Sequence, residues 1–326
     1  MREPLIISQN TFELQPRISV LLPVYNGGEY LRQSLQSVLN QQCSDFEFLI
    51  IDDCSTDGSF DYLKSRQDNR ITLFKNEKNR GLFFNLNFLI SKSNSTLVKL
   101  WAQDDIMYPQ CLDRIISFYT KHSNIGFSYS GCDMIDENGI IKENYSVDNT
   151  PEIISTALHA KIAYYTGSIA GNIANVCISK KALAEVGLFK EDMKISADFD
   201  MWVRLARNHE TGFIKEKLIQ LRDHKNQLSR NEKYFLNHVK EDLEVYRYLD
   251  GYVAPQQRKE GRRLMLKHKL VFYYTLMVKS FLKGKWKTAF DYFRQLKKYN
   301  NFFTLSFSFL KNKMIKPRKP DLFSKE

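Results

Sequence analysis

The first hundred residues alternate between compact apolar runs and amphipathic stretches. Ile18 to Tyr25 (ISVLLPVY) is an unbroken β-rich run that stops at Asn26-Gly27-Gly28, after which Tyr30, Leu31, Leu35, Val38 and Leu39 recur at helical spacing. The pattern reads strand, turn, helix. It repeats with a strand at Phe46 to Ile51, a polar loop from Asp52 to Ser59, a short helix from Phe60 to Ser65 and a strand from Ile71 to Phe74. A helix over Leu82 to Ser91 and a strand over Thr96 to Trp101 follow. Strands alternating with helices through short connections predict an α/β fold with a doubly wound, mostly parallel sheet, in which ligands bind at the carboxyl ends of the strands.

Farther along, the spacing predicts a helix from Pro109 to Lys121, a strand from Ile125 to Tyr129, a hairpin turn at Glu137-Asn138-Gly139 and a strand from Gly212 to Leu221. From about Gln256 onward, Lys and Arg interleave with Leu, Phe and Tyr at helical spacing, interrupted at Gly284 and Asn300-Asn301. Two or three amphipathic helices and a frayed end after Lys316 are expected there. The chain thus divides into residues 1–230, a catalytic or binding body, and residues 231–326, a basic helical C-terminal region.

Charge sharpens that division. Residues 251–326 hold 19 Lys/Arg against 4 Asp/Glu, whereas the whole chain of 326 residues carries a net charge of +11, so the part before residue 251 is slightly acidic. A basic, aromatic region of this kind faces something anionic, such as a membrane surface, or packs on the body or on a second copy of the chain. With 43% apolar and 26% charged residues the chain is an ordered globular protein, not a disordered one. No apolar run reaches the roughly 18 to 20 residues needed to cross a bilayer, and Met1 to Leu14 lacks the features of a secretory signal. A cytoplasmic location, with peripheral attachment to the inner face of the cell membrane, is the expectation. Five cysteines without a C-x-x-C pair argue against a disulfide framework and a thiolate zinc site.

Two carboxylate pairs follow predicted strands: Asp52-Asp53 after FEFLI and Asp104-Asp105 after LVKLWAQ. At the ends of parallel strands such pairs converge, and hard oxygen ligands there suit Mg²⁺ or Mn²⁺ beside nucleotide phosphates. An Asp in that position also serves as a helix cap or Asx-turn. No G-x-x-x-x-G-K-[ST] loop and no G-x-G-x-x-G fingerprint occurs, so a nucleotide would have to be held through carboxylates and a metal.

The ordered set ISVLLPVYNGGEYLRQSLQSVLNQ, FEFLIIDDCSTDGS, NEKNRGLFFNLN, LVKLWAQDDIMYP, ADFDMWVRLA and LRDHKNQLS resembles the inverting family-two glycosyltransferases of the Rossmann-like, GT-A, metal-dependent kind. The resemblance runs from about Ile18 to Ser229. It implies that Pro23 and Tyr25 border the donor base, that Asp53 hydrogen-bonds a uracil-type ring, that Asp105 is a metal ligand and that Asp104 faces the donor ribose or the metal's water shell. Where many relatives carry D-x-D-D, this chain has Ala102-Gln103-Asp104-Asp105. Asp198 matches the general base, with Ala197 in place of the usual Glu, so a supporting carboxylate has to come from Asp200 or elsewhere. Asp198 as a helix N-cap, with Arg204 as an ordinary helix-face charge, is the plainer alternative.

Arg80, Arg222 and His224 are implied diphosphate contacts, or else solvated surface groups. Gly171 and Asn172 match an acceptor-side loop, Asn87 a structural position, and Asp57-Gly58 a turn. The implied reaction is inverting transfer of a sugar from a nucleoside-diphosphate sugar, UDP-linked by preference, to a hydroxyl of a glycan or lipid-linked acceptor in cell-surface polysaccharide synthesis. A nucleotidyltransferase would need a basic Gly-rich loop that PVYNGGEY lacks. A nucleic-acid-binding protein lacks a recognition motif here, and a catalytically silent nucleotide-binding module differs only in failing to turn over the donor.

Overall fold

The computed structural model describes residues 3–8, 15–142, 149–225, 227 and 231–314. The chain forms two compact units: Met1–Thr156, Ala170–Glu191 and Arg204–Gln227 make the first, and Ala157–Ile169, Asp192–Val203 and Leu228–Glu326 the second. Two segments ahead of residue 228 therefore fold with the C-terminal helices, an interleaving that the linear division at residue 230 does not contain. The stretch after Lys316, and Asn226, Leu228 and Ser229 of LRDHKNQLS, lie outside the described residues.

In the first unit the expected class is realised as a mixed sheet with a parallel nucleus. Strands β1 (Leu5–Ser8), β2 (Ile18–Val24), β3 (Phe46–Asp52), β4 (Ile71–Lys75) and β5 (Leu97–Leu100) are followed by β6 (Ile106–Met107), β7 (Ile125–Ile135), β8 (Ile141–Lys142), β9 (Ile153–Ile154), β10 (Cys177–Ser179) and β11 (Glu210–Arg222). Their order is β1-β4-β3-β2-β5-β10-β7-β11-β6, with β8 on β7 and β9 on β11. The β4-β3-β2-β5 set runs parallel, in a register that pairs Val24 with Asp52 and Asp52 with Lys75. The carboxyl ends of these strands therefore lie side by side. On the other half β11 runs parallel to β7, and the short β6 lies antiparallel to β11, pairing Ile219 with Met107 and Gln220 with Ile106. That last register brings the residues before β6 beside the end of β11.

Helices α1 (Tyr30–Leu39), α2 (Ser59–Lys64), α3 (Leu82–Lys92) and α4 (Cys111–Lys121) connect the strands. Leu31, Leu35 and Val38 of α1 and Leu112, Ile115 and Ile116 of α4 join the apolar core under the sheet, as their i, i+3, i+4, i+7 spacing requires. Trp101 is fully buried there, and its indole donates to Ser34 Oγ at 2.8 Å. Gly212 lets α4 lie directly on β11, because a Cβ at this position would come within 2.3 Å of the Phe118 ring. Glu137-Asn138-Gly139 does turn a hairpin, joining β7 to β8 with Met134 opposite Lys142.

Helix α5 (Thr156–Thr166) belongs almost wholly to the second unit, α6 (Lys180–Val186) to the first, and α7 (Ala197–Asn208) begins in the second. The second unit continues with α8 (Phe235–Leu249), α9 (Pro255–Met265), α10 (Val271–Leu282), α11 (Trp286–Leu296) and α12 (Phe302–Met314). A π-helical turn, Leu266–Leu270, joins α9 to α10. The helix breaks fall at Gly284, with φ +69°, and at Asn300-Asn301, where the Asn301 side chain accepts from Thr304 N. Gly261 admits the Tyr164 ring, which a Cβ would meet at 2.1 Å. The basic helices are thus packed members of a unit that includes α5, with Tyr164 OH donating to Asp250 at 2.6 Å.

Candidate functional site

At the carboxyl end of β2 the backbone turns through Asn26 and Gly28, both at positive φ. Its amides are held by the loop after β3: Asn26 N donates to Ser55 Oγ, Gly27 N to Ser59 Oγ and Gly28 N to Asp57 Oδ2, at 2.9 to 3.0 Å. Asp57 therefore tethers two loop tips, and Gly58, at φ +87°, provides the turn into α2. Pro23 is partly buried, while the Tyr25 ring is exposed beyond it. The backbone of Tyr25 is gripped by Gln103, which accepts from its N–H at 2.9 Å and donates to its carbonyl at 3.0 Å.

Asp53 is buried, and its carboxylate organises the loop before α3. Oδ1 accepts from Asn76 Nδ2 and Arg80 N, and Oδ2 from Gly81 N, at 2.7 to 2.9 Å. Two carboxylate oxygens offer about four acceptor positions, so one position is left for a further donor. Arg80 adds its guanidinium to this rim, lying 3.4 Å from the centre of the Phe84 ring.

The second acidic pair is built around Arg222. Its N–H donates to Asp105 Oδ1 at 2.8 Å, Nε to the Asp104 carbonyl at 2.9 Å, and Nη2 to Gln33 Oε1 at 2.7 Å. Nη1 reaches the carbonyls of Asp136 and Glu137, and the guanidinium covers the Tyr30 ring at 4.5 Å. A solvated surface charge is excluded, since Arg222 is 1% exposed. A diphosphate contact from this side chain would compete with protein acceptors that already take most of its five N–H donors. The guanidinium clamps the Asp104 backbone to Gln33 and to the turn at Asp136-Glu137, while the backbone N–H holds Asp105. Arg222→Met keeps the backbone N–H on Asp105 and should lower stability by about 2 kcal/mol, the scale for leaving buried acceptors without their charged donor. Urea denaturation at constant m-value checks this; a loss within experimental error of zero would remove the clamp from the account.

His224 is also inside the site, with Nε2 2.8 Å from Asp104 Oδ2 and its ring 5.1 Å from that of Tyr30. Among the described residues, His224 Nδ1 and Asp105 Oδ2 are buried here without a hydrogen-bond partner. Burial raises the pKa of Asp105 well above the ordinary carboxylate range, and the neighbouring Asp104 charge adds to the rise. Among the described residues no three His, Cys, Asp or Glu side chains gather into a metal-binding group. The unpartnered Asp105 oxygen nonetheless fits an ion that takes one or two protein ligands and completes its shell with phosphate and water, as Mg²⁺ commonly does.

In the second unit, Asp198 is the second residue of α7, so it lies inside the first turn. Its Oδ1 accepts from Phe199 N at 2.7 Å. Desolvation pushes its pKa up to about 7, with the Asp242 charge adding to the rise and the Phe199 N–H and the Lys269 charge opposing it. The segment leading into α7 is fixed by α8: Glu241 accepts from the N–H groups of Lys194, Ile195 and Ser196, each at 2.9 Å. Asp242 accepts from Ser196 Oγ at 2.7 Å, from Lys269 at 2.8 Å and from Tyr273 OH at 2.6 Å, with His238 3.5 Å away. The second carboxylate that acts on Asp198 is thus Asp242, from a helix outside the sequence motifs. Arg204, in the part of α7 that belongs to the first unit, is no plain helix-face charge, because it donates to the carbonyls of Val186, Gly187 and Leu188 at the end of α6.

The remaining sequence candidates hold the backbone. Asn87 bridges to Phe189 through both its amide groups and also donates to Glu191. Asn172 caps a short turn by accepting from Ala174 N, and Gly171 precedes it at φ +72°. Sequence reasoning passed over Gln33, Asn76, Gln103, Glu241, Asp242 and Lys269. Only Asp242 leaves a trace, as a carboxylate among Val239, Leu243 and Tyr246 on the buried stripe of α8.

Residues 19–169 match the family model described as Glycosyl transferase family 2. This stretch is a family 2 glycosyl transferase domain. The chain is similar to an uncharacterized glycosyltransferase of Haemophilus influenzae, 26% identical over 257 residues that cover 71% of this chain and 77% of the relative. A Rickettsia felis glycosyltransferase is 28% identical over 217 residues, 66% of this chain, and the match spans 35% of that relative's length. Among solved structures, S. aureus TarS 1-349 in complex with UDP-GlcNAc superposes with a TM-score of 0.65 at 17% identity, covering 91% of this chain and 89% of that one. That likeness concerns the fold. The family 2 domain contains the β2 turn, Asp53, Arg80 and the Asp104-Asp105 pair, whereas Asp198, Arg222 and His224 lie beyond it.

Proposed function

We propose that the protein is an inverting, metal-dependent glycosyltransferase that takes a UDP-linked sugar as donor and a hydroxyl of a glycan or lipid-linked molecule as acceptor. The observation that carries the reading is the acidic pair beside the end of β11. Asp105 accepts from the Arg222 backbone N–H and, among the described residues, keeps one buried oxygen unpartnered, which is costly in a folded protein unless a ligand meets it. TarS in complex with UDP and with UDP-GlcNAc supports a uridine donor on this fold.

In this reading the turn after β2, with Pro23 and Tyr25, borders the base, and the free acceptor position of Asp53 takes a ring N–H. Arg80 lies toward the diphosphate. Asp104, oriented by His224, faces the ribose or the water shell of the ion. Asp105 holds Mg²⁺ or Mn²⁺, which when bound neutralises the charge that develops on the leaving diphosphate. Asp198 takes the proton of the acceptor hydroxyl. A pKa near 7 suits that task, because such a carboxylate is about half ionised at neutral pH and basic enough to accept a proton. The Lys269 charge limits how far the Asp198 pKa rises. Single displacement then inverts the anomeric centre.

A thermal-shift panel of nucleoside-diphosphate sugars with Mn²⁺ tests the donor assignment. Binding at 100 times the dissociation constant stabilises the folded state by about 2.7 kcal/mol, so a UDP-sugar should raise the melting temperature by several degrees. No shift with any nucleoside-diphosphate sugar would end the reading.

A further inference from the structure

The helices of the second unit sort their aromatic residues by face. Tyr273, Tyr274 and Tyr292 are buried, and Tyr273 and Tyr274 spend their hydroxyls on Asp242 and Ser306. Other aromatic residues point outward. From Phe281 to Lys287 all seven residues, Phe-Leu-Lys-Gly-Lys-Trp-Lys, are exposed, with Leu282 at 77% and Trp286 at 63%. The rings of Phe281 and Trp286 meet edge-on at 4.6 Å across the Gly284 turn, so the apolar groups form one tip. Phe290 continues it one turn along α11, and Phe303, Phe307 and Leu310 make an outward stripe on α12 at i, i+4, i+7. A packed helix turns such a stripe inward.

Charge identifies what covers this face. Between Glu260 and Asp321 the sole acidic residue is Asp291. Lys283 and Lys285 interleave with the exposed rings, and Glu232 stands 3.6 and 3.9 Å from them. Lysine is depleted at the core of protein–protein interfaces, whereas rings flanked by lysines suit the boundary between lipid headgroups and acyl chains. No helix among the described residues is long and apolar enough to cross a membrane, so attachment through this face is superficial. The geometry points to a lipid-docking tip: Phe281–Lys287, with Phe290 one turn along α11, rests on an anionic bilayer, lysines on the phosphates and rings below them. This assignment is independent of the donor chemistry and survives or fails without it.

The chain carries its own probe. Of its three tryptophans, Trp101 and Trp202 are buried and Trp286 is exposed. Adding phosphatidylcholine vesicles that contain phosphatidylglycerol to the full chain should shift the fluorescence to the blue, and acyl-chain-brominated lipid should quench it; Trp286→Phe should abolish both responses. Vesicles of phosphatidylcholine alone should give no shift, and high salt should reverse the effect, since exposed charges are screened over roughly 8 Å at physiological ionic strength. Reversing Lys283, Lys285 and Lys287 to Glu should weaken vesicle binding by at least about 100-fold, at roughly 1 kcal/mol per charge. These positions are exposed and their contacts with Glu232 are surface ion pairs of small worth, so circular dichroism should not change and the melting temperature should fall by no more than a few degrees. No shift with anionic vesicles, an equal shift with neutral ones, or a self-association in sedimentation that the same substitutions disrupt without vesicle binding would each overturn the proposal.

Discussion

Replacing Asp198 by Asn should leave the fold and donor affinity intact and cut turnover by about two orders of magnitude or more, the usual scale for loss of a general base. The wild-type rate should fall about tenfold per pH unit as the pH drops below the Asp198 pKa of about 7, because the protonated acid cannot accept the acceptor's proton. Stability should move the other way. A carboxyl whose folded pKa is raised contributes stability that is fully present below its unfolded value, near 4, and is lost as the pH rises through the folded value, near 7. The Asn variant, which never ionises, should therefore be the more stable protein at pH 8, with the gap shrinking as the pH falls toward 4. Initial rates across a pH series and paired thermal melts check both arms. Near-normal turnover in the variant would remove Asp198 from the chemistry.

Chelation should abolish transfer, and Asp105→Ala should lose the metal-dependent thermal shift with donor. A diphosphate placed beside strand-end carboxylates is repelled unless a divalent ion lies between them. The variant itself should fold, because the substitution removes a buried carboxylate with one unpartnered oxygen and leaves only the Arg222 N–H without its acceptor. Its melting temperature without ligand separates a folding defect from a binding defect. Undiminished activity in excess chelator would show that the pair does not act through a metal.

The strands and helices of the parallel nucleus were legible because their apolar runs are long and bounded by Gly, Asn and Asp, and because local spacing carries the information about which face is buried. Leu31, Leu35 and Val38 and the β3 run Phe46–Asp52 fall where periodicity puts them. The short β10 was not legible. Three residues cannot show a period, and Cys177–Ser179 becomes a strand only by lying between β5 and β7.

By itself, then, the sequence determined which residue types stand at the strand ends: Asp53 after β3, Asp104-Asp105 after β5, and Asp198 ahead of an aromatic-rich helix. It also determined where the positive charge is concentrated. Only the tertiary structure decided what those residues can do. Arg222 lies 117 positions from Asp105 in the chain, and β6 pairing with β11 makes them neighbours. Asp242 and Lys269 set the field at Asp198 from helices that carry no motif. The aromatic residues of the C-terminal helices divide into buried and exposed sets that composition cannot distinguish. Side-chain chemistry is local and can be read in order along the chain. Hydrogen-bond partners, desolvation and exposed surface are relations between residues far apart in it, and folding alone supplies them.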